Sequence, residues 1–307
     1  MTIYEHIKKF AGRPVRKVKA KMEAPSDPAG TAWRVTTDYD GGSEKFDRRF
    51  EALVNSTWAG EVRAIVIGEW GESYDTSAPV DAIVAAAEKL PNLTALFLGE
   101  MVTEENEVSW INQTDLSPIL RAYPRLQVLR VRGSTGLGLP PQRHEALREL
   151  AIETGGLPGG LVQSVADCDF PELRHLELWL GTDDYGGDAT VEDLEPILAG
   201  ARWPLLRYLG LRDAEIADMV SAALAGAAVV GRLEVLDLSL GMLSDVGAAA
   251  LLAGQPLTHL RRLDLHHHFL SAEMMRRLRD ELEAVDLDLS DAKGANDTDD
   301  RYVAVSE

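Results

Sequence analysis

LEVLDLSLGMLSDVGAAALLAG, residues 233–254, joins two periodicities in one short stretch. Leu233, Leu236 and Leu238 spell apolar, two variable, apolar, one variable, apolar. The last two point to one face of an extended strand, and the residues between point to the other. Ser244 then opens a helix-like run with a start signal. Strand, helix and return leave an apolar side that only neighbouring copies can cover, so such units must stack.

The phrase recurs as VRAIVI from Val62, LTALFL from Leu93, LQVLRV from Leu126, LRELAI from Leu147, LRHLEL from Leu173, LRYLGL from Leu206, LRRLDL from Leu260 and LEAVDL from Leu282. With the first segment these make nine copies, and nine in order exceed what chance alternation supplies. Their middle residues are Ile65, Leu96, Leu129, Leu150, Leu176, Leu209, Leu236, Leu263 and Val285. Helix starts follow several of them: Pro79 in SAPVDAIVAAAEKL, and Thr190 with Asp193 at capping-box spacing in TVEDLEPILAG.

This spelling, sustained from residue 62 to about 290, resembles the leucine-rich repeat family. Within it the chain looks like a bacterial, actinobacterial-type family of the ribonuclease-inhibitor-like class. The resemblance implies an α/β solenoid, a horseshoe with a concave parallel β-sheet and helices on the convex side. That class usually carries Asn or Cys three residues after the third apolar position. Here stand Trp70, Met101, Ser134, Gly155, Gly181, Ala214, Gly241, His268 and Ser290, so the capping ladder is expected to be mostly absent.

Residues 1–61 precede the repeat. TAWRVTTDY (31–39) reads as a strand, and SEKFDRRFEALVNST (43–57) as a helix with Phe46, Phe50 and Leu53 along one face. They are expected to form an α/β cap over the unpaired first strand. The solenoid spans 62–290, and the acidic residues 291–307 read as a disordered tail.

The chain has 307 residues, 45% of them apolar and 26% charged, which suits a folded protein with a sizeable core. Its net charge of −19 sets nucleic acid aside, because that affinity comes from cationic residues. Lys8, Lys9, Arg13, Arg16, Lys17, Lys19 and Lys21 against Glu5 and Glu23 make the first 24 residues net basic, with no uninterrupted apolar core for a signal peptide. No apolar run approaches the roughly 20 residues that span a bilayer. Cys168 stands alone, and a reducing, cytoplasmic setting fits it. No membrane, cofactor or metal is expected, nor any catalytic residue.

The register places side chains in columns on the concave face. The first two strands present small or apolar residues there, Val66 and Phe97 among them. From Glu177 onward come His175, Glu177, Trp179, Tyr208, Arg212, Asp237, Asp264 and His266, with Asp286 beside Asp264 and Asp288 beside His266. Gly210, between Glu177 and Asp237, should leave a dent walled by carboxylates and aromatic rings. Such a dent fits a basic side chain. Long strand-to-helix loops add a second candidate surface on one rim: Trp70, Tyr74, Trp110, Asp183, Asp184 and Tyr185.

The expected function is a non-catalytic scaffold for a protein or peptide partner with basic side chains, read at the concave face and the loop rim. An alternative is an accessory subunit presenting substrate to a separate enzyme, as the resemblance implies. A hydrolase or metal-binding protein centred on His266, with Ser239 in the neighbouring strand, is the third. His266, His267 and His268 are expected to diverge, since alternate residues of a strand face opposite ways.

Overall fold

A computed structural model describes residues 3–37, 42–293 and 301–306. The described chain forms two compact units, residues 3–153 with 170–172, and residues 154–169 with 173–306. The N-terminal unit contains β1 (Lys9–Phe10), β2 (Arg13–Lys17), β3 (Ala32–Val35), α1 (Ser43–Val54), β4 (Ala64–Ile67), α2 (Val80–Ala85), β5 (Ala95–Leu98), α3 (Ser117–Ala122), β6 (Val128–Arg132) and β7 (Glu149–Glu153). The C-terminal unit contains α4 (Gly159–Ala166), β8 (His175–Gly181), α5 (Val191–Leu198), β9 (Tyr208–Ala214), α6 (Ala217–Leu224), β10 (Val235–Asp237), α7 (Asp245–Ala253), β11 (Arg262–Asp264), α8 (Ala272–Glu281) and β12 (Asp286–Asp288).

β4 to β12 carry the nine phrases, and in each unit these strands pair in parallel with their sequence neighbours. Ile65, Leu96, Leu129 and Leu150 stand opposite one another in one unit, Leu176, Leu209, Leu236 and Leu263 in the other. All eight are buried. This is leucine-rich-repeat architecture, with one helix or turn per crossover. The start signals act as expected: Thr190 and Asp193 form a reciprocal capping box on α5, and Ser244 accepts the Val246 N–H at α7.

The last register is shifted. β12 pairs with β11 so that Leu287, and not Val285, stands opposite Leu263, which puts Asp288 beside Asp264 and Asp286 beside Arg262. A one-residue slip would turn every side chain to the wrong face, but a slip of two keeps each on its own side. The hydrophobic pattern therefore cannot tell the two registers apart.

In the N-terminal unit α1 buries Phe46, Phe50 and Leu53, and β3 extends the parallel sheet beside β4. Asp38 and Tyr39, at the end of the expected strand, lie outside the described residues. β1 and β2 form an antiparallel hairpin whose turn, Ala11 and Gly12, has φ of 46° and 75°, the double left-handed geometry of a tight hairpin. Phe10 then packs against Val66 and Phe97, together with Ala32, Ala64 and Ala95. Its ring lies 5.8 Å from that of Phe97. The face of β4 and β5 expected to be open is thus covered, because apolar columns without helices above them must find another partner.

The tail also departs from expectation. Residues 294–300 and 307 lie outside the described residues, but Val303 and Val305 are buried in the C-terminal unit. Two apolar residues at alternate positions supply what an extended segment needs to dock.

Candidate functional site

On the open face of β8, β9 and β10, Arg212 lies between two acids. Its Nη1 donates to Glu177 Oε1 at 2.7 Å, its Nε donates to Ser239 Oγ at 2.9 Å, and Nε lies 3.3 Å from Asp237 Oδ2. The Trp179 indole N–H donates to the same Glu177 oxygen at 2.8 Å, and the Arg212 guanidinium sits 5.2 Å from the Trp179 ring centre. The Tyr208 hydroxyl donates to Asp237 Oδ2 at 2.7 Å, while its ring stacks on His175 at 3.7 Å. Burial opposes the Arg212 charge, but Glu177 and Asp237 outweigh it and raise its pKa. Burial, then the same two carboxylates, push the Tyr208 hydroxyl well above the phenol range.

Two expectations fail here. The dent at Gly210 is filled: a Cβ there would meet Tyr208 Cε1 at 3.1 Å and Glu177 Cγ at 3.3 Å, so the missing side chain makes room for Tyr208 to cross towards Asp237. Trp179 is buried rather than presented to solvent, because its N–H finds an acceptor on the sheet. The carboxylates expected to receive a partner's cation already hold the chain's own arginine.

Asp264, His266 and Asp288 bring ligand-type atoms within 4.8 Å of one another, and they are the described residues best able to hold a cation. Arg262 occupies that role. Its Nη2 donates to Asp264 Oδ2 and to Asp288 Oδ2 at 2.8 Å each, and its Nη1 donates to Asp286 Oδ2 at 3.1 Å. His266 Nδ1 donates to Asp264 Oδ1 at 2.6 Å. Burial opposes the Asp264 charge, but the His266 and Arg262 hydrogen bonds win and hold its pKa well below the usual value. Ser239 Oγ donates to Asp237 Oδ1 at 2.6 Å and accepts from Arg212, which ties it to its own network. The hydrolase reading pairs Ser239 with His266, but Ser239 is bonded to Asp237 and Arg212 while His266 Nδ1 is bonded to Asp264.

The three histidines diverge as expected. His267 and His268 are buried, and burial lowers both pKa values. His268 Nδ1 accepts the Leu270 N–H at 3.1 Å, so its Nε2 carries the proton donated to Leu289 O at 3.2 Å. It bonds the main chain at the position where the family usually places Asn. Each buried ring favours the neutral form, so its contribution is complete above the ordinary histidine value of about 6.5 and is lost as pH falls through it. Melting temperature should therefore drop between about pH 7 and pH 5, and His268→Asn should flatten part of that slope. A level wild-type profile across that range would refute the assignment.

In the N-terminal unit the rim residues separate. Trp70 is buried, its N–H donating to Thr76 O at 3.1 Å, which corrects its placement among exposed contacts. Tyr74 and Trp110 are 57% and 60% exposed. Their loops are tied together: Asn112 Nδ2 donates to Tyr74 O at 2.6 Å, Asn112 N donates to Ser73 O at 2.9 Å, and Asn106 Nδ2 donates to Ser73 Oγ at 2.8 Å. In the C-terminal unit Asp183 and Asp184 are exposed and Tyr185 is half-buried, in a short turn whose Asp183 N–H donates to Glu215 Oε2 at 3.2 Å.

Sequence reasoning missed a second buried ionic cluster. Arg34 of β3 pairs with Glu100, in the loop after β5, and donates to the Glu100 carbonyl at 3.0 Å. Glu100 Oε1 also accepts the Ile7 N–H at 3.0 Å and lies 3.4 Å from His6 Nδ1. Burial lowers the Arg34 pKa to about 10 against the pull of Glu105, with Arg132 adding to the drop. An arginine beside Val66 in the concave-face column was the available signal, but its partner lies 66 residues away.

No protein-family model matches the chain, and no curated protein matches it significantly. Among solved structures, an internalin from Listeria monocytogenes is 14% identical over 87% of this chain and 68% of that one, with a TM-score of 0.32. Rad7 in its yeast complex with Elc1 is 11% identical over 83% and 74%, with a TM-score of 0.37. Both scores are too low to establish a common architecture. A Bacteroides fragilis protein solved as a structural-genomics target is 32% identical over 85% of this chain and 74% of that one, with a TM-score of 0.78. With identity and coverage of that order, the chain belongs to the same family as this Bacteroides fragilis protein.

Proposed function

We propose that the chain is a non-catalytic scaffold for a protein or peptide partner. The observation that carries this is the pair Tyr74 and Trp110, more than half exposed on loops that hydrogen bonds hold together. Large rings on restrained loops bury much area at little entropic cost, and tyrosine and tryptophan are frequent anchors of interfaces. Asp183, Asp184 and Tyr185 form a separate acidic contact in the C-terminal unit. On the sheet face of that unit His175, Tyr208, Arg212 and His266 are partly exposed, held in place by the buried Glu177, Trp179, Asp237 and Asp264. Exposed acids such as Asp183, Asp184 and Asp286 favour a partner with basic side chains.

The test is affinity capture from the native cell, followed by binding measurements with the purified partner. Tyr74→Ala with Trp110→Ala should weaken binding by at least about tenfold, since each anchor of this kind contributes more than about 1 kcal/mol. Thermal melting should stay at the wild-type value, because neither ring is part of the core. Undiminished binding by the double variant would remove the rim from the interface.

A further inference from the structure

Asp213, Leu240, His267 and Asp291 occupy equivalent places at the exits of β9 to β12, and all are left-handed, with φ of 53°, 70°, 57° and 57°. The segment Arg301–Ser306 docks on the first three. Ala304 N donates to Leu240 O at 2.7 Å, Val305 N donates to Asp213 Oδ1 at 3.0 Å, and His267 Nε2 donates to Tyr302 O at 3.1 Å. Val303 and Val305 are buried, and the Tyr302 ring lies edge-on to His267 and Phe269 at 5.3 and 5.6 Å. Main-chain bonds combined with alternate side chains in pockets are how an extended peptide is recognised.

The fit is incomplete at one point. Asp213 is fully buried, Val305 engages one of its carboxyl oxygens, and Oδ2 has no hydrogen-bond partner among the described residues. Burial pushes that carboxyl well above the usual aspartate range, against the backbone N–H groups of Val305 and Ala304 and the nearby Arg212 charge. Keeping an unmatched oxygen out of water costs free energy that release of the segment would recover. Ordering six residues costs conformational entropy that release would recover as well, and two buried valines and a few hydrogen bonds stand against both.

We propose that the exits of β9 to β11 form a docking groove for an extended segment with valine at alternate positions, and that Arg301–Ser306 is its detachable intramolecular ligand. While the segment is seated the groove is closed to any other chain. Its release exposes the Asp213 carboxyl, the Leu240 carbonyl and the pockets of Val303 and Val305 to an incoming segment of the same kind. This goes beyond the rim contacts of Tyr74 and Trp110 and does not depend on them.

Hydrogen exchange on the full wild-type chain is the first test. The Ala304 and Val305 amides should exchange through local opening, on the order of a hundredfold faster than the Leu238 and Leu265 amides, which donate to Asp264 O and Asp288 O in the sheet. Equal protection would make the segment an integral part of the unit and overturn the proposal. The second test uses the full-length double variant Val303→Asp, Val305→Asp and a labelled peptide of sequence RYVAVSE. The peptide should bind the variant and leave the wild type unlabelled. A variant with wild-type melting that fails to bind it would likewise overturn the groove.

Discussion

Glu177→Ala is expected to lower the stability of the C-terminal unit by about 3–5 kcal/mol, the usual result of removing one partner from a buried ion pair. The loss has three parts. Arg212 keeps only the 3.3 Å contact with Asp237 and its bond to Ser239, the Trp179 indole N–H loses its acceptor, and the Tyr208–His175 stack loses the acid beside it. Glu177→Gln retains a carbonyl for both donors but no charge, so it should fall between wild type and the alanine variant. Urea denaturation followed by tryptophan fluorescence measures both. An alanine variant within about 1 kcal/mol of wild type would mean that the network is solvated, contrary to the burial described here.

Glu100→Ala should cost the N-terminal unit a comparable amount, about 3–5 kcal/mol, and should also free its first residues. Arg34 would be left buried with Glu105 at 3.4 Å as its remaining acid, and the Ile7 N–H would lose its acceptor. The hairpin that covers Val66 and Phe97 is anchored through that bond and the His6 contacts. Limited proteolysis is the sharper readout: cleavage among residues 3–17 should appear in the variant at protease levels that leave the wild type intact. Persistent protection there would show that Phe10 and the parallel pairing of β2 with β3 hold the hairpin down without Glu100. Because the described chain forms two compact units, the unfolding transitions should be resolved before a single free energy is assigned.

The physics of the repeat explains how much could be read in advance. Leu236 and Leu263 are legible because each strand states its buried face by alternation and each neighbour repeats it. Thr190 and Ser244 are legible because caps are local. The shift at β12 was illegible because two registers bury the same face. The candidate face was legible as a set of residues but not as a surface. The same columns that put Glu177, Arg212 and Asp237 side by side also let them satisfy one another. Trp179 reads as exposed because alternation says which side a residue faces, and not whether another side chain lies over it, and Trp70 because a place in a long loop does not say whether the ring folds back onto it.

The leucine-bearing face and the divergence of the three histidines were legible in the residues themselves, and the parallel pairing of successive strands through the resemblance that the repeated phrase carries. The first two follow from the period of two within a strand, and the pairing from the recurrence of the phrase in nine successive copies. Only the tertiary structure decided that Phe10 covers Val66 and Phe97, that Glu100 meets Arg34, and that Val303 and Val305 return to the exits of β9 and β10. Those contacts join residues tens of positions apart with no repeating pattern between them, so their geometry exists only once the stacked strands have brought the partners together.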